Sequence, residues 1–409
     1  MKKYLKRYCT NPAIASFVAL AAITIMPKST ETMVLNPGIK SLARLNYRNN
    51  KIIINREGLN LPIKPNTNEP IRIVHLGDSH VQAGFFTDEI RNLLSSYMNN
   101  SAISVGYAFP YNLAKTNSPF DYTFQSTGKW KFLKILGSAK PIQAGLSGMA
   151  METTDYKASF MVSTNSPKNG IKSFDQITVF CPVDSISYTP AVEGSETEII
   201  SQSQHHITFK LKTPVCEARI GLKSTGKRQK QFTLLGLELV NSTSKVIYNS
   251  AGLNGADVKA YLLAAELAHQ LKVLNPQLVI VSLGTNDACH PSFDVQNFGI
   301  ALNTLLNRIN TAVPNATILL TTPSDHLLRL AKNPHLTEAK TAIITSAFRN
   351  NCCVWDFHTI MGGEGSIRTW SSMGLTAPDL LHLNIKGYQL QGELLFEAIT
   401  CNEFLTYHQ

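Results

Sequence analysis

Four short stretches of this 409-residue chain hold residue types that could make and break an acyl bond. Gly77-Asp78-Ser79-His80 presents a serine hydroxyl directly after a strand-like run, Ile71-Arg-Ile-Val-His-Leu76. A hydroxyl attacks a carbonyl only when a base takes its proton, and Asp379-Leu-Leu-His382 offers one. Three residues apart, the carboxylate and the imidazole can face one way on a turn, so that one ring nitrogen is held while the other accepts the serine proton. Gly284-Thr285-Asn286-Asp287 follows the run Leu278–Leu283, and Asn286 can donate its side-chain amide to an oxyanion. In Asn249-Ser-Ala-Gly-Leu-Asn-Gly255, a glycine N–H can add a further donor, with Gly255 the candidate and Gly252 its competitor. Singly, each stretch has a plainer reading: a helix N-cap for Gly-Asp-Ser, turn positions for Asn286 and Gly255. Their joint occurrence, in order and each after a strand, is what points to acyl transfer. Other histidines compete as base. His75 is expected to be packed in its strand, His80 to touch substrate, and His290 and His326 to line the rim, but none has an aspartate at so suitable an offset.

These residues need a scaffold that brings strand ends together. The run from Ile71 gives way to a helix whose apolar positions, Phe86, Ile90, Leu93, Leu94 and Tyr97, recur on one face. Leu278–Leu283, Thr317–Leu320 and Val354–Phe357 read as buried strands separated by helical patterns, the clearest being Ala256–Leu274 and Ile385–Ile399. That alternation predicts an α/β sandwich with a parallel sheet covered on both faces, and a serine at a strand's carboxyl end sits where such sheets bind ligands. The helix N-terminus beside it supplies backbone N–H groups suited to an oxyanion. From about Tyr122 to Ser244 the periodicity changes to short alternating segments, including Ile177–Phe180, Ile207–Leu211 and Ala218–Leu222, which predicts an inserted all-β module.

As a set, Gly77-Asp-Ser-His80, Gly255, Gly284-Thr-Asn286 and Asp379-Leu-Leu-His382 resemble the four blocks of the SGNH/GDSL hydrolase superfamily. The resemblance covers about residues 71–110 and 245–400. It implies an SGNH-type three-layer sandwich with Ser79 as nucleophile, Asp379 and His382 completing a triad, and Ser79, Gly255 and Asn286 forming an oxyanion hole. The Gly-Asp-Ser-His form and the large β insertion resemble bacterial peptidoglycan O-acetylesterases. That likeness implies removal of O-acetyl groups from a cell-wall or other extracellular polysaccharide through an acetyl-serine intermediate. A polysaccharide O-acetyltransferase using the same triad and a catalytically inactive glycan-binding protein are the alternatives. A broad lipase or thioesterase would call for a long apolar acyl groove, which no stretch announces.

The expected organisation is a signal peptide or N-terminal anchor at 1–28, a linker and lead-in at 29–70, and the hydrolase domain at 71–121 and 245–409. The β-sandwich at 122–244 is inserted between the two parts and is a candidate glycan-binding unit, with Tyr122, Trp130 and Tyr188 as candidate stacking residues. Lys2, Lys3, Lys6 and Arg7 precede the uncharged apolar run Ala13–Met26, which has the layout of a secretory signal and is shorter than the about 20 residues of a spanning helix. The expected location is periplasmic or secreted, with an inner-membrane tether if the segment stays uncleaved. Cys9 lies ahead of the apolar run, which is the wrong place for a lipid-modified cysteine.

Five of the ten excess positive charges fall in residues 1–28, leaving +5 for the rest, which gives nucleic-acid binding little support. The cysteine spacing matches no metal site, and no Gly-rich nucleotide loop follows a strand, so neither metal nor organic cofactor is expected. Cys181 and Cys216 share the β-rich stretch and are the expected disulfide pair if the compartment is oxidising.

Overall fold

The computed structural model describes residues 45–54, 69–99, 101–166, 170–401 and 404–405; the signal-like segment and most of the lead-in lie outside them. Five strands form a parallel sheet: β1 (Ile71–Gly77), β2 (Val246–Gly252), β3 (Leu278–Ser282), β4 (Thr317–Thr321) and β5 (Cys353–Trp355), in the order β2-β1-β3-β4-β5. Their sequences are almost wholly apolar because both faces are covered. Val74, Leu76, Val279, Val281 and Leu320 enter one core, whereas Ile73, Leu278, Ile280 and Leu319 alternate into the other. The period of two along each strand thus feeds two separate helical layers.

On the second face lie α1 (Ser79–Gln82), α2 (Phe85–Tyr97) and the C-terminal helix Ile385–Cys401, with Phe86, Ile90, Leu94, Leu390 and Leu394 buried against it. On the first face lie α3 (Leu267–Leu274), Val295–Ala312 and Leu336–Arg349. This is the predicted α/β layering. The expected single helix Ala256–Leu274 is instead two, Val258–Leu262 and α3. Between them the backbone bonds across the chain, Ala265 N–H to the Ile142 carbonyl at 3.0 Å and Glu266 N–H to the Ala144 carbonyl at 2.9 Å. Those tertiary bonds override the local helical pattern. The lead-in also makes contact: Ile53 exchanges backbone hydrogen bonds with Val354 and so covers the edge of β5.

Between α2 and β2 the chain builds antiparallel sheets. A five-stranded sheet runs in the order Thr197–Gln202, His206–Val215, Phe174–Phe180, Gly236–Val240, Gly106–Ala108. A four-stranded sheet joins Thr189–Glu193, Glu217–Lys223, Ser159–Ser163 and Thr123–Thr127, and a three-stranded one joins Phe232–Leu234, Met149–Thr153 and Lys131–Lys134. Phe124, Phe160, Phe174, Phe209 and Phe232 fill their shared core, which is continuous with the first face of the parallel sheet. Polar clasps reinforce the junction, Gln270 accepting from Leu146 N–H at 2.8 Å and Arg72 pairing with Glu238 at 2.7 Å.

The expected Cys181–Cys216 disulfide is absent, and both are free thiols. Strand register explains it. Phe180 pairs with His206 and Phe174 with Val215, so Cys181 and Cys216 lie just beyond opposite ends of the strand Phe174–Phe180, about 25 Å apart at roughly 3.4 Å per residue, far beyond disulfide reach.

Candidate active site

In a sheet ordered β2-β1-β3, the connection from β1 to β2 steps one way and that from β2 to β3 returns across β1, and the crevice at the carboxyl end of β1 is where such sheets receive ligands. Gly77 ends β1, and Asp78 caps α1, its carboxylate accepting from His80 N–H at 3.0 Å. Ser79 is therefore the first residue of a helix, with its hydroxyl at the crevice. Close packing behind it demands glycine at 252: a Cβ there would lie 2.5 Å from the Asp78 carbonyl and 2.6 Å from Gln82 N. Gly255, by contrast, is exposed and has φ of +80°, a loop conformation that suits glycine and leaves its backbone open. The two glycines that compete in the sequence thus differ in surroundings, one wedged against α1 and the other on the loop lip.

The Asp379–His382 turn comes from the opposite side, just ahead of the C-terminal helix. Leu380 has φ of +52°, which is costly for a branched side chain, and its carbonyl accepts from Leu327 N–H at 2.9 Å. The sharp bend puts both polar side chains on one side. Ser79 Oγ lies 3.0 Å from His382 Nε2, and His382 Nδ1 lies 2.7 Å from Asp379 Oδ2. The other carboxylate oxygen, Oδ1, accepts from the N–H groups of Leu381 and His382, each at 3.0 Å. Burial would raise the Asp379 pKa, but the bonds from His382 and these backbone groups prevail and hold it at about 2. A permanently ionised Asp379 fixes the ring with Nδ1 protonated and Nε2 free to take a proton from Ser79.

Asn286 is the second residue of the short helix Thr285–Ala288 after β3. Its Nδ2 donates to the Ala256 carbonyl at 2.9 Å and, more weakly, to Asp78 Oδ2 at 3.3 Å. Asp78 thereby links the Asn286 amide to the cap of the Ser79 helix. Burial pushes the Asp78 carboxyl up to about 6, offset in part by its bond from His80 N–H.

Among the competing histidines, His75 is fully buried between Tyr248 Oη and Ser282 Oγ, both at 2.7 Å, and burial lowers its pKa to about 3. His326 is held by the Ser324 carbonyl and Asn333, and His290 is an exposed residue bonded to Ser292. His80 is the exception. Its ring stacks on His382 with centroids 5.0 Å apart, and its Nδ1 meets Tyr388 Oη at 2.9 Å. Packing, then the neighbouring His382, keep this imidazole well below its ordinary pKa, so a neutral ring backs His382.

Gln82 was not singled out in the sequence, yet it organises the loop. Its amide donates to Thr116 Oγ1 at 3.0 Å and the Asn117 carbonyl at 2.6 Å, and its Oε1 accepts from Asn254 N–H at 2.6 Å. The available signal was a polar side chain one helical turn from Ser79. Of the expected stacking residues, Tyr122 and Tyr188 are buried, and Trp130 packs against Phe160 and Phe232 while donating to the Thr127 carbonyl. Tyr156 is instead 50% exposed, with Lys157 over its ring.

Residues 225–390 match the GDSL-like Lipase/Acylhydrolase family model. The match contains Gly255, Asn286, Asp379 and His382, whereas Ser79 precedes it, on the far side of the antiparallel sheets. Among solved structures, the chain is similar to a peptidoglycan O-acetylesterase at 21% identity and a TM-score of 0.67, over 81% of this chain and 91% of that one. A lipase/acylhydrolase from Enterococcus faecalis matches at 22% identity and a TM-score of 0.31, over 38% of this chain and 75% of its own. The esterase EstA from a Pseudoalteromonas species matches at 20% identity and a TM-score of 0.31, over 38% and 78%. No curated protein matches the chain.

Proposed function

We propose that this chain, a serine hydrolase of esters that carries a GDSL-like lipase/acylhydrolase domain, removes O-acetyl groups from an extracellular polysaccharide, peptidoglycan being the foremost candidate. The observation that carries the reading is the contiguous Ser79–His382–Asp379 array, with links of 3.0 and 2.7 Å. The similar fold of a peptidoglycan O-acetylesterase supports the polymer assignment. A periplasmic or secreted location follows from that substrate and from the signal-like Lys2–Met26 segment.

In this mechanism Ser79 Oγ attacks the acetyl carbonyl as His382 Nε2 takes its proton, and Asp379 stabilises the imidazolium. The oxyanion is met by the N–H groups of Ser79 and Gly255 and by Asn286 Nδ2, which exchanges its long bond to Asp78 for the developing charge. Collapse releases the sugar hydroxyl with the proton from His382 and leaves acetyl-Ser79. Water, deprotonated by the same histidine, then liberates acetate and restores the serine.

The test is acetate release from purified O-acetylated peptidoglycan by the wild type and by Ser79→Ala. Stoichiometric free acetate that disappears in the variant supports the reading. Transfer of the acetyl group to a glycan acceptor without free acetate would make the protein an acetyltransferase, and no turnover by the wild type would overturn both.

A further inference from the structure

Away from Ser79, three metal-ligating side chains converge where the antiparallel sheets meet the helical layer. His205 comes from the turn before the strand His206–Val215, Glu266 precedes α3, and His269 lies on its first turn. Glu266 Oε2 is 2.9 Å from His205 Nδ1 and 3.0 Å from His269 Nδ1, and one ligand atom from each residue lies within 4.8 Å of the others. The two imidazoles are stacked with centroids 3.7 Å apart and planes 20° from parallel. Their side chains are 34% and 42% exposed, so the cluster is open to solvent on one side.

The arrangement is unusual for simple hydrogen bonding. Two ring nitrogens from separate elements converge on one carboxylate oxygen. A divalent cation at that focus replaces the shared protons. With metal–ligand lengths of about 2.0–2.2 Å, tetrahedral ligand atoms stand about 3.3 Å apart, so the two contacts to Glu266 need only a few tenths of an ångström of opening, while the stacked imidazoles must turn so that both lone pairs converge on the cation. Two imidazoles and one carboxylate suit zinc and its first-row neighbours better than calcium or magnesium, and the open side leaves a position for water. The backbone is already fixed on both sides, since the His205 carbonyl accepts from Cys181 N–H at 3.1 Å and Glu266 N–H donates to the Ala144 carbonyl at 2.9 Å. Sequence spacing hides the cluster because His205 and Glu266 are 61 residues apart.

We propose that His205, Glu266 and His269 bind one divalent transition-metal cation of the zinc class, which fastens the antiparallel sheets to α3. The site shares no residue with the Ser79 array, so its test is independent of the hydrolase reading.

The full chain, stripped by chelator and dialysed, is titrated with Zn²⁺ by calorimetry and with Co²⁺ by visible absorption. The expected result is one equivalent bound, Co²⁺ bands of a four-coordinate site, and a melting temperature raised by Zn²⁺. His205→Gln, Glu266→Gln and His269→Gln are each expected to weaken binding by about tenfold or more. Their melting without metal and their circular dichroism report that they remain folded. Should His205→Gln fail to fold, His269→Gln, on a solvent-facing helical turn, carries the comparison. Absence of saturable binding, or affinity unchanged in the folded variants, overturns the proposal and leaves two imidazoles sharing a carboxylate.

Discussion

At the carboxyl edge of the parallel sheet, Ser79, His382 and Asp379 meet through two side-chain bonds, and Asp78 ties Asn286 to the Ser79 cap. In the antiparallel region the aromatic side chains turn inward, with Phe124, Phe160 and Phe232 forming a common core and Tyr122 and Tyr188 buried beside it. Each side chain at the edge occupies a position fixed by a strand end or a turn, so its identity is constrained by chemistry. A core residue of the antiparallel sheets needs only to be apolar and of suitable size. One region is therefore specified by a few residues, the other by a pattern spread over many.

The sharpest probe of that contrast is Ser79→Ala. It should lower turnover of both an aryl acetate and an acetylated glycan by about a thousandfold or more while leaving thermal melting unchanged. Near wild-type rates would remove the edge from the reaction altogether. Asp379→Asn comes next, with an expected loss of about a hundredfold or more because the ring loses the carboxylate that fixes its tautomer. Stopped assays on the aryl acetate measure it, and a loss below threefold would show that the turn merely packs.

The Asp78 carboxyl gives a pH signature of the same edge. Its folded pKa of about 6 exceeds the ordinary 3.8, so between these values the folded chain holds a proton that the unfolded chain releases. Its contribution to stability consequently falls as pH rises from about 4 to 6, by up to about 3 kcal/mol, and is level above that window. Asp78→Asn keeps a capping side chain and should flatten this part of the profile in urea denaturation from pH 4 to 7. An unchanged slope would show that another group produces it. Gln82→Ala, which frees the loop around Asn254, should cost about 1–3 kcal/mol in the same experiment and lower kcat more than it raises KM. An effect on KM alone would place Gln82 in substrate binding instead.

The smallest expected effect tests the other region. Tyr156→Ala should raise KM for acetylated polymer about fivefold, equivalent to roughly 1 kcal/mol, without altering aryl acetate turnover. Equal losses on both substrates would make the antiparallel sheets a support for the edge rather than a recognition surface.

How much was legible follows the same division. The meeting of Ser79, His382 and Asp379 was legible because short turns at helix starts hold these side chains within three or four consecutive residues. The alternating two-sided burial of β1, β3 and β4 is readable from apolar runs alone. What failed depended on register or on distant partners. Cys181 and Cys216 lie in the same β-rich stretch, yet strand pairing holds them at opposite ends. The helix from Ala256 breaks at Ala265 and Glu266, where the 142–144 segment supplies bonds that local periodicity cannot foretell. Exposure was equally hidden: Tyr188, an expected stacking residue, is buried, whereas Tyr156 is half in solvent.

The placement of β1 bears on how the molecule is made. Its partners on either side are β2 and β3, residues 246–252 and 278–282, so the first strand of the sheet waits for neighbours synthesised about 170 and 200 residues later. Ser79 and His382 are separated by 303 positions. Contacts of such sequence separation carry a large loop-closure cost and form late. The antiparallel sheets, with strands paired mostly within a shorter interval, can gather while β1 is still unpaired. A nascent chain that has not yet reached Asp379 and His382 would then hold a serine with no base beside it, so the array assembles only after the turn that carries them has emerged.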